Sequence, residues 1–199
     1  VWKNPFLKGL KEKATVHLAD QGDGNHFAYL GTLDGVEELI AHLNRHGYVE
    51  LAEKLSRTDG GSMRVLVTHH GSRGLGAAVY SRGLDAAIRE TKIHARDIPA
   101  NLAWIYADTA TGRDYWSALQ YVARWTKVNH QLVHSRFLEN LGRSAVAEIG
   151  NEHNFVWKRG SQFLHGKGAT PAWSDDEAKP LLGLIPLNMA EPILLAAGK

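Results

Sequence analysis

The chain has 199 residues, 44% of them hydrophobic and 22% charged, with a formal net charge of +2. This is the balance of a globular chain long enough to bury a core, and it excludes a low-complexity or disordered polymer. Cysteine is absent, which excludes a disulfide framework and a thiolate zinc site and fits a reducing, cytoplasmic setting. No apolar run approaches the roughly 20 residues of a membrane span, so no membrane partner is expected, and the start carries no signal-peptide pattern. A pI of about 8.8 permits a polyanionic partner without requiring one.

Residues 1–13 are short and basic, with Lys3, Lys8, Lys11 and Lys13, and read as a lead-in. Ala14–Ala19 reads as a strand. The turn Asp20–Phe27 is polar and glycine-rich, and strand-like residues follow it to Leu30. Asn25 and His26 stand where that strand resumes. Asp34 is placed to cap a helix carrying Val36, Leu39, Ile40 and Leu43 at helical spacing, with Gly47 as its stop. His42 and His46 are four apart and share a face, more in the manner of a surface pair than of ligands. A short helix is expected over about 48–57 and a loop over Thr58–Ser62.

Residues 62–76, SMRVLVTHHGSRGLG, concentrate the chemistry. Met63–Val67 alternate and read as a buried strand. The strand runs into Thr68-His69-His70 and then Gly71-Ser72-Arg73-Gly74, and a helix over about 75–92 follows. Two imidazoles and an arginine therefore stand at one strand-to-helix turn. Glycine lets backbone approach a ligand, a helix start offers unpaired N–H groups, and guanidinium matches phosphate. The two readings are a metal beside a phosphate and a glycine-rich turn with solvated histidines.

Leu102–Ala107 reads as a buried strand and Asp108–Gly112 as a turn. Arg113–Leu141 reads as one long helix with an apolar stripe that includes Trp116, Val122, Val133 and Phe137. Arg124, Lys127, His130 and Arg136 decorate it, mostly in solvent, while Asn129 and Gln131 fall among apolar positions. Ala145–Ile149, Phe155–Lys158 and Gln162–His165 read as strands, the last two joined by a turn at Arg159-Gly160. A second glycine-rich loop, Gly166–Thr170, holds Lys167 and lacks P-loop spacing. Trp173–Lys179 reads as an acidic surface loop. Leu181–Pro186 and Ile193–Leu195 are the last strands expected. With no internal repeat and no linker, residues 1–199 read as a single domain of α+β class, with mixed sheets and a long central helix. Val1 opens the chain in mid-pattern, as in a piece of a longer protein.

His26, His69 and His153 all stand at strand ends, with Arg73 and Lys167 in glycine-rich turns. Borderline imidazole ligands beside paired cations are equipment for phosphoryl transfer or phosphoester chemistry. Six ordered segments, GDGNHF (22–27), THHGSRGLG (68–76), YWSALQYVARWTKVNHQL (115–132), EHNFVW (152–157), HGKGAT (165–170) and IPLNMAEPIL (185–194), resemble the RtcB RNA ligases. That family joins RNA 3′-phosphate or 2′,3′-cyclic phosphate ends to 5′-hydroxyl ends with GTP and Mn²⁺. The resemblance implies an RtcB-like fold and function, with RNA ends and GTP as partners. It implies His26, His69 and His153 as Mn²⁺ ligands, His69 being chosen over His70 because the family histidine stands two before the first glycine. It implies Asn25 and Asn188 as nucleotide contacts, and Arg73 and Lys167 as the cations of the reaction.

The sequence also departs from the family. Tyr29 stands where the family has a glutamate that helps recognise guanine. Pro186-Leu187-Asn188-Met189 replaces Pro-Gly-Ser-Met. The upstream Asp-x-Gly-Cys-Gly metal motif and the downstream Ser-His-Gly-Ala-Gly-Arg motif, which carries the guanylylated histidine, are not in these 199 residues. The chain thus reads as the central part of a divergent RtcB-like ligase. A noncatalytic RNA- or nucleotide-binding remnant and a metal-dependent phosphoesterase are the alternatives.

Overall fold

The computed structural model describes residues 1–58, 62–150, 152–172, 182–186 and 193–197. Its elements are α1 (Lys11–Val16), β1 (Phe27–Leu33), α2 (Val36–Arg45), α3 (Val49–Ser56), β2 (Met63–His69), α4 (Arg73–His94), a 3-10 turn (Ala100–Leu102), α5 (Ala110–Asn140), β3 (Phe155–Arg159), β4 (Gln162–Gly166), β5 (Leu182–Pro186) and β6 (Ile193–Ala197). Strands pair as β1 with β2, β3 with β4 and β5 with β6, so the class is α+β with small sheets and one long helix. The chain forms two compact units, one of Val1–Gly31 and Leu66–Ser144, the other of Thr32–Val65 and Ala145–Lys199. No helix among the described residues is long and apolar enough to cross a membrane.

The first unit is helical. Its core joins Phe6, Leu7, Leu10 and Ala14 to Leu75, Val79 and Ala86 of α4 and Ala118, Val122 and Trp125 of α5. The strand expected over Ala14–Ala19 is instead the last residues of α1, to Val16, followed by a turn. Leu7, Leu10 and Ala14 recur at helical spacing and are all buried, and Trp125 Nε1 donates to the Ala14 carbonyl at 3.0 Å. Close packing of α4 on α5 needs glycine. A Cβ on Gly83 would lie 2.4 Å from the Tyr115 ring.

The strand expected over Leu102–Ala107 is also absent. Leu102 is exposed, Ala103 is extended, and residues 103–106 enter no strand ladder. Side chains of α4 serve their backbone instead: Trp104 N donates to Thr91 Oγ1 at 2.8 Å and Tyr106 N to Glu90 Oε1 at 2.9 Å. The turn then ends earlier than the spacing suggests. Thr109 caps α5 by accepting from Gly112 N, so the helix starts at Ala110.

In the second unit, Leu43 of α2, Ala52 and Leu55 of α3, and Leu182 of β5 form the core. The cap of α2 is Gly35, at φ +68 and with no side-chain hydrogen bond, rather than Asp34. Ala145–Ile149 is not a strand; Ala147 and Ile149 pack on this core without entering a ladder. The β3–β4 hairpin runs in register from Phe155↔Gly166 to Arg159↔Gln162, turning at Gly160 with φ +58. The β5–β6 pair is antiparallel from Leu182↔Ala197 to Pro186↔Ile193.

Candidate functional site

In the first unit, the loop Asp20–His26 meets the end of β2 and the start of α4. Gln21 Nε2 ties them by donating to the carbonyls of Phe27 at 2.7 Å and His69 at 3.3 Å. Asn129 of α5, fully buried, fixes the loop's entry: its Oδ1 accepts from Ala19 N at 2.6 Å and its Nδ2 donates to the Asp20 carbonyl at 3.2 Å. Asn129, set among apolar positions of α5, thus meets backbone polar groups, whereas Gln131 is exposed. Ala19 has φ +61, a conformation that L-residues adopt at a cost, and the bonds from Asn129 hold it.

Arg73 is the hub. Its Nε and Nη2 both donate to Asp20 Oδ2, at 3.2 and 3.1 Å, and its Nη1 donates to His26 Nδ1 at 3.1 Å. Asp23 Oδ1 lies 3.6 Å from Nη1. Arg73 itself has φ +50, strain of the kind that clusters at functional sites. Gly22 makes the closeness possible: at φ +95, a Cβ there would sit 2.0 Å from Arg73 Nη1 and 2.6 Å from His26 Nδ1.

This contact sets protonation. Burial would raise the Asp20 carboxyl, but hydrogen bonds from His17, Arg73 and Gly22 outweigh it and hold the group below the usual range. Burial first, then the charges of Arg73 and His69, lower His26. A neutral His26 accepting at Nδ1 satisfies the guanidinium.

His26 and His69 are brought together, with ring centres 5.8 Å apart. His69 Nδ1 lies 3.1 Å from the Asn25 carbonyl. Donation to that oxygen fixes the tautomer that presents Nε2 as a lone pair, the usual support of a metal-binding histidine. Asn25, itself exposed, thus contributes its backbone to His69. The Phe27 ring stacks on His69 and on Tyr29, each at 5.5 Å. The two imidazoles fit part of a metal's ligand set. Among the described residues, no group of three or more His, Asp or Glu is already gathered around one point.

His153 and Lys167 belong to the second unit, at the open end of the β3–β4 hairpin, and both are exposed. Asn154 joins them: its Nδ2 donates to His153 Nδ1 at 3.0 Å and its Oδ1 accepts from Gly168 N. Asn188 lies outside the described residues. His42 and His46 share a face of α2, with ring centres 4.5 Å apart. Sequence reasoning missed Asp20 and Asp23, although two carboxylates beside a glycine-rich turn were visible as partners for an arginine.

The family profile described as tRNA-splicing ligase RtcB matches residues 4–199. Similar proteins include the tRNA-splicing ligase RtcB of Pyrococcus abyssi, 27% identical over 93% of this chain and 21% of that protein. The tRNA-splicing ligase RtcB of Archaeoglobus fulgidus is 26% identical over 96% of this chain and 42% of its own length. The RNA-splicing ligase RtcB2 of Escherichia coli is 28% identical over 77% of this chain and 35% of its own length. The chain thus spans less than half the length of these relatives.

Proposed function

The chain belongs to the tRNA-splicing ligase RtcB family, and from that premise we propose that it contributes the phosphate-binding and metal-binding segments of an RNA ligase. The reaction joins an RNA 3′-phosphate or 2′,3′-cyclic phosphate end to a 5′-hydroxyl end with GTP and Mn²⁺. The observation that carries this reading is the Arg73 fork, held by one carboxylate beside two imidazoles.

A terminal phosphate presents oxygens like those of the Asp20 carboxylate and can take its place on the fork in bidentate fashion. Asp20 keeps the guanidinium aimed until the RNA end arrives. His26 and His69 are the residues of the first unit that would hold Mn²⁺, and by family resemblance His153 is assigned to the metal and Lys167 to the reaction. Asn25 and Asn188 are assigned to the nucleotide. When bound, Mn²⁺ supplies Lewis-acid stabilisation of charge on phosphate oxygens. His69 is oriented for its part by the Asn25 carbonyl, and Gly22 keeps Arg73 against His26.

The test is binding of fluorescent RNA ending in a 3′-phosphate or a 3′-hydroxyl, read by anisotropy. A preference for the phosphate of about tenfold or more is expected, as one strong charge-assisted pair contributes. Equal affinity for the two ends would overturn the reading. Incubated alone with labelled GTP and Mn²⁺, the chain is expected to form no covalent GMP adduct. None of its histidines stands in the Gly-Ala-Gly-Arg context that the family's nucleophile occupies. An adduct mapped to any histidine here would show that the nucleophile lies within this segment.

A further inference from the structure

Strand alternation sends neighbours to opposite sides, and at the end of β2 this separates two adjacent histidines. His69 turns toward His26 and Phe27. Thr68 and His70 turn the other way, toward α5. There, His130 and His134 stand four apart on one helix face, a spacing with which a helix can present two imidazoles to one metal ion. The ring of His70 lies 4.0 Å from that of His130 and 6.1 Å from that of His134, and those two are 6.5 Å apart.

His70 is only 5% exposed, and both of its ring nitrogens are buried without a hydrogen-bond partner. A neutral imidazole carries one donor and one acceptor. Leaving both unmet in the interior calls for an explanation, and a bound ion is one of the few available. The other two rings are held by outer contacts. His130 Nε2 donates to the His70 carbonyl at 2.7 Å, and His134 Nε2 is 2.6 Å from Thr68 Oγ1. A hydrogen bond through one ring nitrogen is how metal-binding histidines are oriented for ligation through the other.

We propose that His70, His130 and His134 form a transition-metal site, distinct from the pair His26 and His69, that pins the end of β2 to α5. An ion about 2.0–2.1 Å from each ligating nitrogen holds ring centres roughly 4.5–6 Å apart, and the separations here, 4.0, 6.1 and 6.5 Å, each lie within about 0.5 Å of that range but outside it. The rings of His130 and His134 stand edge-on to His70, at 79° and 75°, and the three do not converge as placed. Binding therefore proceeds with rotation of the His70 ring, whose nitrogens hold no hydrogen bond, while His130 and His134 keep their outer contacts. An all-imidazole set favours Zn²⁺, Co²⁺, Ni²⁺ or Cu²⁺ over the hard ions that carboxylates select. Its place in the fold gives the ion a structural part: it would fix the strand end from which the Arg73 turn departs.

The test uses the full 199-residue chain with histidine ring nitrogens labelled, titrated with Zn²⁺ alone. One equivalent is expected to shift the ring signals of His70, His130 and His134 in the unmodified protein. Saturation that leaves those three unmoved overturns the proposal without any variant having to fold. The H26A/H69A double variant is expected to retain this site with affinity within about threefold, and loss of all Zn²⁺ binding there would also overturn it. H130Q/H134Q should weaken binding at least about 100-fold, more than loss of an outer contact does, and unchanged affinity would defeat the site. Thr68 is a positioning residue: T68V should weaken binding roughly 10–100-fold, with T68S restoring it. A T68V affinity equal to that of the unmodified chain would overturn the orienting role of that hydroxyl.

Discussion

His69 and His70 follow one another at the end of β2 and meet opposite surroundings. On the His69 side, the charged and imidazole groups satisfy one another, and among the described residues Gln21 Oε1 is the buried side-chain atom left without a partner there. Asp20 holds Arg73, Arg73 holds His26, and the Asn25 carbonyl holds His69. On the His70 side, a buried imidazole has neither nitrogen met, with two further imidazoles beside it. One strand end thus faces two environments of opposite character. The satisfied side is preorganised for an anion that replaces a carboxylate. The unsatisfied side keeps its coordination capacity at the expense of stability.

Four measurements test this contrast. The largest effect is expected at Asn129, which supports the satisfied side from α5. Asn129→Ala strips partners from Ala19 N and the Asp20 carbonyl and opens a small cavity, so a loss of about 3 kcal/mol is expected in urea unfolding. A loss below about 1 kcal/mol would mean that the loop holds itself.

Acid should next expose the unsatisfied side. Burial, and then the nearby His130 and His134, lower the His70 pKa from 6.5 to about 3. The unfolded chain therefore takes up a proton near pH 6.5, while the native state does not until about pH 3. Stability falls with decreasing pH through that window, by up to roughly 1.4 kcal/mol per pH unit from this group. His26, also lowered, contributes in the same direction. The diagnostic is thus the difference between the unmodified chain and His70→Leu, measured with a chelator present. Identical acid limbs for the two would show that His70 charges as readily in the folded state.

On the satisfied side, Arg73→Lys replaces the fork with a point charge, and RNA 3′-phosphate binding should weaken about tenfold, equivalent to about 1.4 kcal/mol. Gly22→Ala should do the same from a distance, because its Cβ would occupy the place of the guanidinium. Full binding by Arg73→Lys would remove the bidentate role.

The smallest effect has the opposite sign. At pH 8 without metal, His70→Leu should raise stability by about 1 kcal/mol, since an apolar group replaces a buried polar one that has no partner. His69→Leu should bring no such gain. If both substitutions destabilise equally, the contrast between the two sides fails.

Much of the frame was legible in residue order alone. The period of Val36, Leu39, Ile40 and Leu43 gave α2, and the alternation of Met63–Val67 gave β2, because burying one face imposes a period that the sequence must carry. The Gly-Asn-His-Phe and Gly-Ser-Arg-Gly segments marked the site, since glycines are needed wherever a guanidinium and an imidazole approach backbone this closely. Three strand readings, at Ala14–Ala19, Leu102–Ala107 and Ala145–Ile149, failed for one reason. Apolar residues in a short window say that something is buried without saying against what. The core decided that Ala14 is helical, and Thr91 and Glu90 serve the backbone near Trp104 that a neighbouring strand would otherwise have served. Tertiary structure alone set Asp20 on Arg73 and brought His130 and His134 to His70. Those pairs are 53, 60 and 64 residues apart, and no local period encodes a meeting of that kind. It follows only when α5 packs in the first unit and the strand has chosen which histidine faces each side.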